Sequence, residues 1–377
     1  MRLLLFSDIH AHNFQQYSEI LEIGINNRLL YSINILKEIA QACKTYQVDG
    51  VLFAGDLFHK RNLINVQVFN LIFEAIANIA LQVDFTALLV GNHDQSNKDG
   101  NIHSLFSFKS IVTVLDEINW VTLESKNESI KILAVPYRDD HFLLTEKILE
   151  LIKDRDENYQ SVLLGHFAVK DAKIGSDFVL KTNNTVSIAD NIYKNLDQIF
   201  LGHYHFPQQL KENVRYLGAT HHHSWGDANQ IRGYWLWDTY PNQEFSKPKL
   251  IQLKSAPLFI TINLKDIEEN LNHEKEKIFY KANNNKHYLR IILSEDINEV
   301  KKQKILDQLC SYCSHIEFQI KFATNIGTNT LSIKDIGHNL EIKKLMQLYI
   351  DDMGLESNLD NEYLLSIGNK YIDEVGG

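Results

Sequence analysis

The stretch Val51-Leu52-Phe53-Ala54-Gly55-Asp56-Leu57-Phe58-His59 decides the fold, because a short apolar run ends abruptly in a glycine, a carboxylate and an imidazole. Four other places repeat the arrangement. Leu3-Leu4-Leu5-Phe6 leads to Asp8-Ile9-His10, and Ala87-Leu88-Leu89-Val90 leads to Gly91-Asn92-His93-Asp94. Val162-Leu163-Leu164 leads to Gly165-His166, and Ile199-Phe200-Leu201 to Gly202-His203-Tyr204-His205. Apolar runs of this length without polar alternation suit strands buried on both faces. Helical patterns separate the first three runs. Leu29, Ile33, Leu36, Ala40 and Cys43 share one helical face, and Val66, Phe69, Phe73, Ile76 and Ala80 share another. Alternating strands and helices imply an α/β core whose functional groups gather at strand C-termini, and the polar motifs fall at those ends. Gly55, Gly91, Gly165 and Gly202 are expected to let the backbone turn sharply and approach the site closely.

Carboxylates, imidazoles and one amide form the ligand set of a site for two hard or borderline metal ions. Two metals about 3.5–4 Å apart can clamp a phosphodiester, lower the pKa of a bridging water and stabilise the leaving alkoxide. Such a centre needs one shared carboxylate, which Asp56 can provide, and neutral imidazoles around it. With no thiolate in the set, manganese, iron or zinc fits better than a sulfur-rich zinc site, and magnesium is a further option. Histidines outside the series, namely His12, His103, His141, His287, His315 and His338, read as ordinary loop or core residues.

The five motifs resemble those of the calcineurin-like metallophosphoesterases over about residues 1–255. The Leu57-Phe58-His59 continuation is similar to the SbcD-type nuclease subunits of double-strand-break repair complexes and their phage recombination counterparts. This resemblance implies a β-sandwich flanked by helices. Carried over by residue, it implies Asp8, His10 and His205 on one metal, Asn92, His166 and His203 on the other, and Asp56 bridging both. His93 then stabilises the transition state or protonates the leaving oxygen, and His59 orients the phosphate or nucleophile. Ala11-His12-Asn13 departs from the small turn common in repair nucleases, so the rim differs here.

A chain of 377 residues exceeds one ordinary core, so several domains are expected. The divisions are a nuclease domain over 1–255, a small α+β capping domain over 256–330 and a helical partner-binding segment over 331–377. Pro241, Pro248 and Pro257 mark the first boundary. Beyond it the pattern reads strand (Phe259–Asn263), helix, strand (Tyr288–Leu293), helix (Val300–Cys313) and strand (Ile316–Ile320). Cys310 and Cys313 have metal-site spacing but no second pair, and core packing is expected of them. In the last segment, Ile342, Leu345, Met346 and Tyr349 share one face, and Leu359, Tyr363, Ile367 and Tyr371 share another, with Gly354 between. The resemblance implies that these helices dock on a coiled-coil ATPase partner.

Three cysteines do not frame a disulfide fold, and no run of eighteen apolar residues exists. The expected setting is therefore the reducing cytoplasm, without a membrane span or secretory signal. The formal charge of −10 argues against a broad basic DNA surface. Half of that charge lies beyond residue 330, however, and two divalent cations would focus attraction for phosphate at the site. Lys60, Arg61, Lys170, Lys173, Arg215 and Arg232 lie near motifs and could line a DNA track, although each alone reads as a solvated surface charge. The triplet His221-His222-His223 cannot easily share one ion, since adjacent residues on extended backbone face opposite ways. It is expected to form a rim loop, with one member reaching the substrate phosphate. The functional expectation is a two-metal DNA exonuclease or endonuclease, with DNA and the ATPase as partners and a homodimer by analogy. Its rivals are a small-molecule phosphodiesterase or phosphoprotein phosphatase of the same fold, and a non-catalytic scaffold bridging DNA ends.

Overall fold

The computed structural model describes all residues except 98–99, 127, 171, 174–184, 187–189, 241–242, 268–286, 321–364 and 367–377. The chain divides into the compact units Met1–Lys321 and Phe322–Gly377. The amphipathic stretches read in the second unit, and His338, lie outside the described residues.

In chain order the first unit contains β1 (Arg2–Phe6), α1 (Asn27–Thr45), β2 (Gly50–Phe53), α2 (Val66–Ala80), β3 (Phe85–Leu89), β4 (Thr113–Leu115), β5 (Asn119–Ser125) and β6 (Glu128–Val135). It continues with α3 (His141–Lys153), β7 (Ser161–His166), α4 (Asp190–Tyr193), β8 (Gln198–Gly202), β9 (Gln208–Lys211), β10 (Val214–Tyr216), β11 (Gly233–Asp238) and β12 (Lys249–Gln252). Last come β13 (Phe259–Asn263), β14 (His287–Leu293), α5 (Glu299–Leu309) and β15 (Cys313–Ile320).

The apolar runs at 3–6, 51–54, 87–90, 162–164 and 199–201 are wholly buried, as strands covered on both faces require. They are the inner strands of two six-stranded sheets, ordered β12-β11-β1-β2-β3-β4 and β5-β6-β7-β8-β10-β9. Within them β1–β4 run parallel, as do β6, β7, β8 and β10, while the outer neighbours are antiparallel. Leu3, Leu5, Leu52, Ala87 and Leu89 of the first sheet pack against Ile132, Ala134, Val162, Leu164 and Phe200 of the second. On their outer faces α1 and α2 cover the first sheet, and α3 covers the second. The result is an α/β sandwich flanked by helices.

Side-chain caps start the helices. Asn26, Asn65 and Asp140 each accept backbone N–H bonds from the first turns of α1, α2 and α3. The face of α2 is rotated from the one read in sequence. Val68, Ile72, Ala75, Ile76 and Ile79 are deeply buried, Phe69 and Phe73 only partly, and Val66 is exposed. A stripe of apolar residues wider than one face makes the centre of burial ambiguous until the sheet fixes it.

β13, β14 and β15 form a separate three-stranded parallel sheet with its own core of Ile260, Leu289, Ile291, Ile305 and Leu309. The last helix is shorter than read. It stops at Leu309, Cys310 is its exposed C-cap, and the chain enters β15 at the buried Cys313. Only one of the two cysteines therefore packs in the core. No helix among the described residues is long and apolar enough to cross a membrane.

Candidate metal centre

The C-terminal ends of β1, β2 and β3 in one sheet meet those of β7 and β8 in the other. There the structure brings together Asp8, His10, Asp56, Asn92, His93, His166, His203 and His205, with His59 at the edge of the same cleft. The small cleft, about 170 Å³, is lined by His10, Phe14, Asp56, His59, Asn92, His93, His203, His205 and His223.

The sharp turning falls on the polar residues themselves. Asp8 (φ 54°), His10 (φ 48°), Asp56 (φ 63°) and His203 (φ 92°) all occupy positive φ, a costly region for side-chain-bearing residues. Backbone bonds hold this shape, with Asp8 N–H donating to Gly55 O and His10 N–H to Asp56 O, each at 3.0 Å. Of the four glycines expected to turn, only Gly55 (φ 99°) does. Gly202 is required by proximity instead, since a Cβ there would lie 2.1 Å from Ala54 O.

Asp56 Oδ2 stands 3.6 Å from His10 Nε2 and 3.4 Å from His166 Nε2, so this carboxylate faces both halves of the cluster. Its other oxygen accepts the His93 N–H at 2.8 Å. Asp8 Oδ1 lies 3.8 Å from His10 Nε2 and 3.9 Å from His205 Nε2. On the far side, Asn92 Oδ1 is 3.0 Å from His166 Nε2 and 2.9 Å from His203 Nδ1.

The donor set fits cations. His166 Nδ1–H donates to Ala54 O at 2.6 Å, which orients the ring so that Nε2 is the nitrogen turned into the cluster. His10 Nε2 and His205 Nε2 approach to 3.1 Å, so the two nitrogens converge on one point of the cleft. Burial pushes His203 down to about 3 and His10 well below its ordinary value, keeping both rings neutral. For His166 burial also disfavours charge, but Asp56 and Asp8 outweigh it and raise the ring to about 9. Asp56 stays ionised despite its burial because His166, through its charge and its hydrogen bond, holds it far below the usual carboxylate range. Two buried carboxylates thus draw positive charge into the cluster, and the residues present could hold two divalent ions.

Asp94 is a part of the site that the sequence did not assign. Wholly buried, it accepts four backbone N–H bonds. Oδ1 takes those of Leu57 (3.0 Å) and Phe58 (3.2 Å), and Oδ2 those of Asp56 (2.9 Å) and Gly91 (3.0 Å). Burial and the nearby Asp56 raise its pKa to about 7, against the pull of these amides. The available signal was an aspartate closing the third motif, adjacent to two polar residues.

His93 Nδ1–H donates to His59 O at 2.7 Å, and the two rings stack at 5.5 Å. The His221–His223 loop splits as alternation requires. His222 turns away, between Gln230 O and the Phe259 N–H, while His221 and His223 lie on one side with ring centroids 4.3 Å apart. His223 enters the cleft and donates from Nε2 to Asp8 O at 3.1 Å. Asp227 secures this loop through the N–H groups of His223 and Ser224.

Arg215 and Arg232 leave the expected DNA track. Arg215 is buried between the Phe200 and Trp235 rings, and Arg232 is buried against Asp227 at 2.7 Å. Lys60, Arg61, Lys170 and Lys173 remain exposed. His103, His141 and His287 are buried away from the cleft, whereas His12 packs at its rim.

Comparison with known proteins adds a family. Residues 1–207 match the description "Calcineurin-like phosphoesterase". A curated protein from Staphylococcus saprophyticus, named as the D subunit of the nuclease SbcCD, is 23% identical over 368 residues, covering 90% of each chain. Its namesake from Staphylococcus epidermidis is 22% identical over 232 residues, covering 55% of this chain and 60% of that one. Among solved structures, a dimetal phosphatase from Danio rerio aligns with a TM-score of 0.37 and 10% identity, over 63% of this chain and 91% of that one.

Proposed function

The chain belongs to the calcineurin-like phosphoesterase family, and on that footing we propose that it is a two-metal DNA nuclease working with a coiled-coil ATPase in repair or recombination. The observation that carries the chemistry is the convergence of seven potential ligands from five strand ends, with Asp56 facing both halves. Asp8, His10 and His205 would hold one ion, Asn92, His166 and His203 the other, and Asp56 both. When bound, two divalent ions, manganese by preference, supply Lewis-acid activation of the phosphodiester and of the attacking water.

The remaining steps belong to the chain. His93, anchored through Nδ1 on His59 O, presents its Nε2 edge as the group that stabilises charge on the phosphate or hands a proton to the leaving oxygen. His59, whose pKa burial and His93 depress to about 4, stays neutral and orients the phosphate. The choice of DNA rests on Leu57-Phe58-His59 and on the names of the two staphylococcal relatives. The ATPase partner, a homodimer and a partner-binding role for residues 331–377 rest on the same likeness.

The test uses purified protein with manganese on duplex DNA and on bis(p-nitrophenyl) phosphate. Cleavage of both is expected, with Asp56→Asn and His93→Ala each losing activity on both while keeping the wild-type unfolding profile in the absence of metal. Turnover of the small diester alone would leave a phosphodiesterase, and normal turnover in either variant would remove the assigned roles.

A further inference from the structure

Phe14 follows the Ala11-His12-Asn13 segment and lines the cleft beside Asp56, Asn92 and His93, although nothing in the hydrolytic chemistry calls for an apolar ring there. Its surroundings are ordered in a particular way. The Arg28 guanidinium sits over its ring at 4.2 Å, His12 meets it edge-on at 5.3 Å, and His59 lies tilted against it at 5.0 Å. Arg28 is itself buried and fixed by the carbonyls of Gln16 (3.3 Å) and His223 (2.7 Å), and no carboxylate pairs with it among the described residues. Phe14 is also pinned through its backbone, since its carbonyl accepts from Asn26 Nδ2 at 2.8 Å. The ring is only half-buried. Together with His59 and His93, it continues a row of aromatic surfaces from the cleft outward.

We propose that Phe14 is a stacking platform for an unpaired nucleobase next to the scissile phosphate, held in place by Arg28. The proposal rests on the nuclease reading and sharpens its substrate to single-stranded or frayed DNA. Phe14 lines the same cleft as Asp56, Asn92 and His93, so a base attached to a phosphate held there lies within reach of its ring. Stacking is tolerant of sequence, because every base has a π-face. It is closed to a base still paired and stacked in a duplex, so the platform selects an opened end. A cation over the ring recurs in aromatic surfaces of this kind. Lys60, exposed next to His59, adds a charge for the neighbouring phosphate.

The test measures binding of a fluorescein-labelled 12-nucleotide single strand by anisotropy, with manganese present and His93→Ala as the inactive background. Phe14→Leu keeps the apolar volume without the π-face, and Phe14→Tyr keeps the face. Phe14→Leu is expected to weaken binding about 10-fold, and Phe14→Tyr to restore it. An abasic site scanned through the three terminal nucleotides should cost the parent protein a similar factor at one position, with no further loss in Phe14→Leu. Equal affinity of Phe14→Leu and parent, or losses that simply multiply, overturns the platform while leaving the nuclease reading intact. No measurable binding of any strand by the parent also overturns the platform, and the cleavage assay then decides the nuclease reading by itself.

Discussion

Replacing Asp94 by Asn tests how the site is built. The side chain keeps its size but loses its ionisable carboxyl and the equivalence of its two oxygens. Asp94 accepts two backbone N–H bonds on each oxygen, so an amide NH₂ in either orientation faces two buried donors and satisfies neither. Leaving a buried donor unpaired costs about 1–3 kcal/mol, which puts the substitution at roughly 2–6 kcal/mol for the pair. Domains of 150–250 residues lose about 2–4 °C in Tm per kcal/mol, so a fall on the order of 10 °C is expected by differential scanning calorimetry. Activity should suffer as well, because either freed pair lies in or beside the turn that carries Asp56. A displacement of about 1 Å at a reacting group costs on the order of 100-fold. Turnover of bis(p-nitrophenyl) phosphate with manganese should therefore drop by about two orders of magnitude at a temperature where the variant is still folded. An Asp94→Asn protein melting within 1 °C of wild type with unchanged turnover would refute the reasoning.

Two further outcomes follow from the site and its neighbour sheet. Chelator-treated protein should gain about 2.7 kcal/mol on adding manganese at 100 times its dissociation constant. Thermal unfolding would read this as a rise on the order of 5–10 °C, and Asp56→Asn should reduce it. An equal rise in the variant would exclude Asp56 as a ligand. Buried His287 accepts the Leu258 N–H at 2.9 Å, and burial pushes its pKa down to about 4. The depressed folded-state pKa means the unfolded chain binds the proton first as pH falls. Its contribution is thus whole above pH about 6.5 and declines toward pH about 4, by roughly 3 kcal/mol in all. Denaturant titrations of wild type and His287→Gln should diverge in slope across that window, and parallel pH profiles would rule it out.

The sequence exposed the strand ends clearly, because runs such as Val51–Ala54 are apolar on both faces and their polar continuations are abrupt. It could not show the handedness of the backbone at Asp8, His10, Asp56 and His203. Glycine is the usual written sign of positive φ, and here surrounding hydrogen bonds hold ordinary residues in that region. Nor could it separate a functional arginine from a structural one. Arg215 and Arg232 sit close to motifs in the chain, but strand register turns the first between two rings, and the second meets an acid five residues before it. Asp94 went unassigned because its partners are backbone amides, which leave no trace in residue identity. Val66 and Cys310 were misplaced at helix ends, where periodicity fades and capping decides exposure.

The order of strands in the first sheet has a bearing on biogenesis. β11, residues Gly233–Asp238, lies directly against β1, the strand that carries Asp8 and His10. The other half of the centre arrives only with β7 and β8. A ribosome that has released the first hundred residues has therefore exposed Asp8, His10, Asp56 and Asn92 without a finished sheet or opposing histidines. With the proposed ligands, capture of the ions would await His205, past the middle of the chain, and would then clasp the two sheets together across their seam. The centre is then a late checkpoint of folding, and a nascent or truncated chain lacking β11 should carry no hydrolytic activity to be restrained.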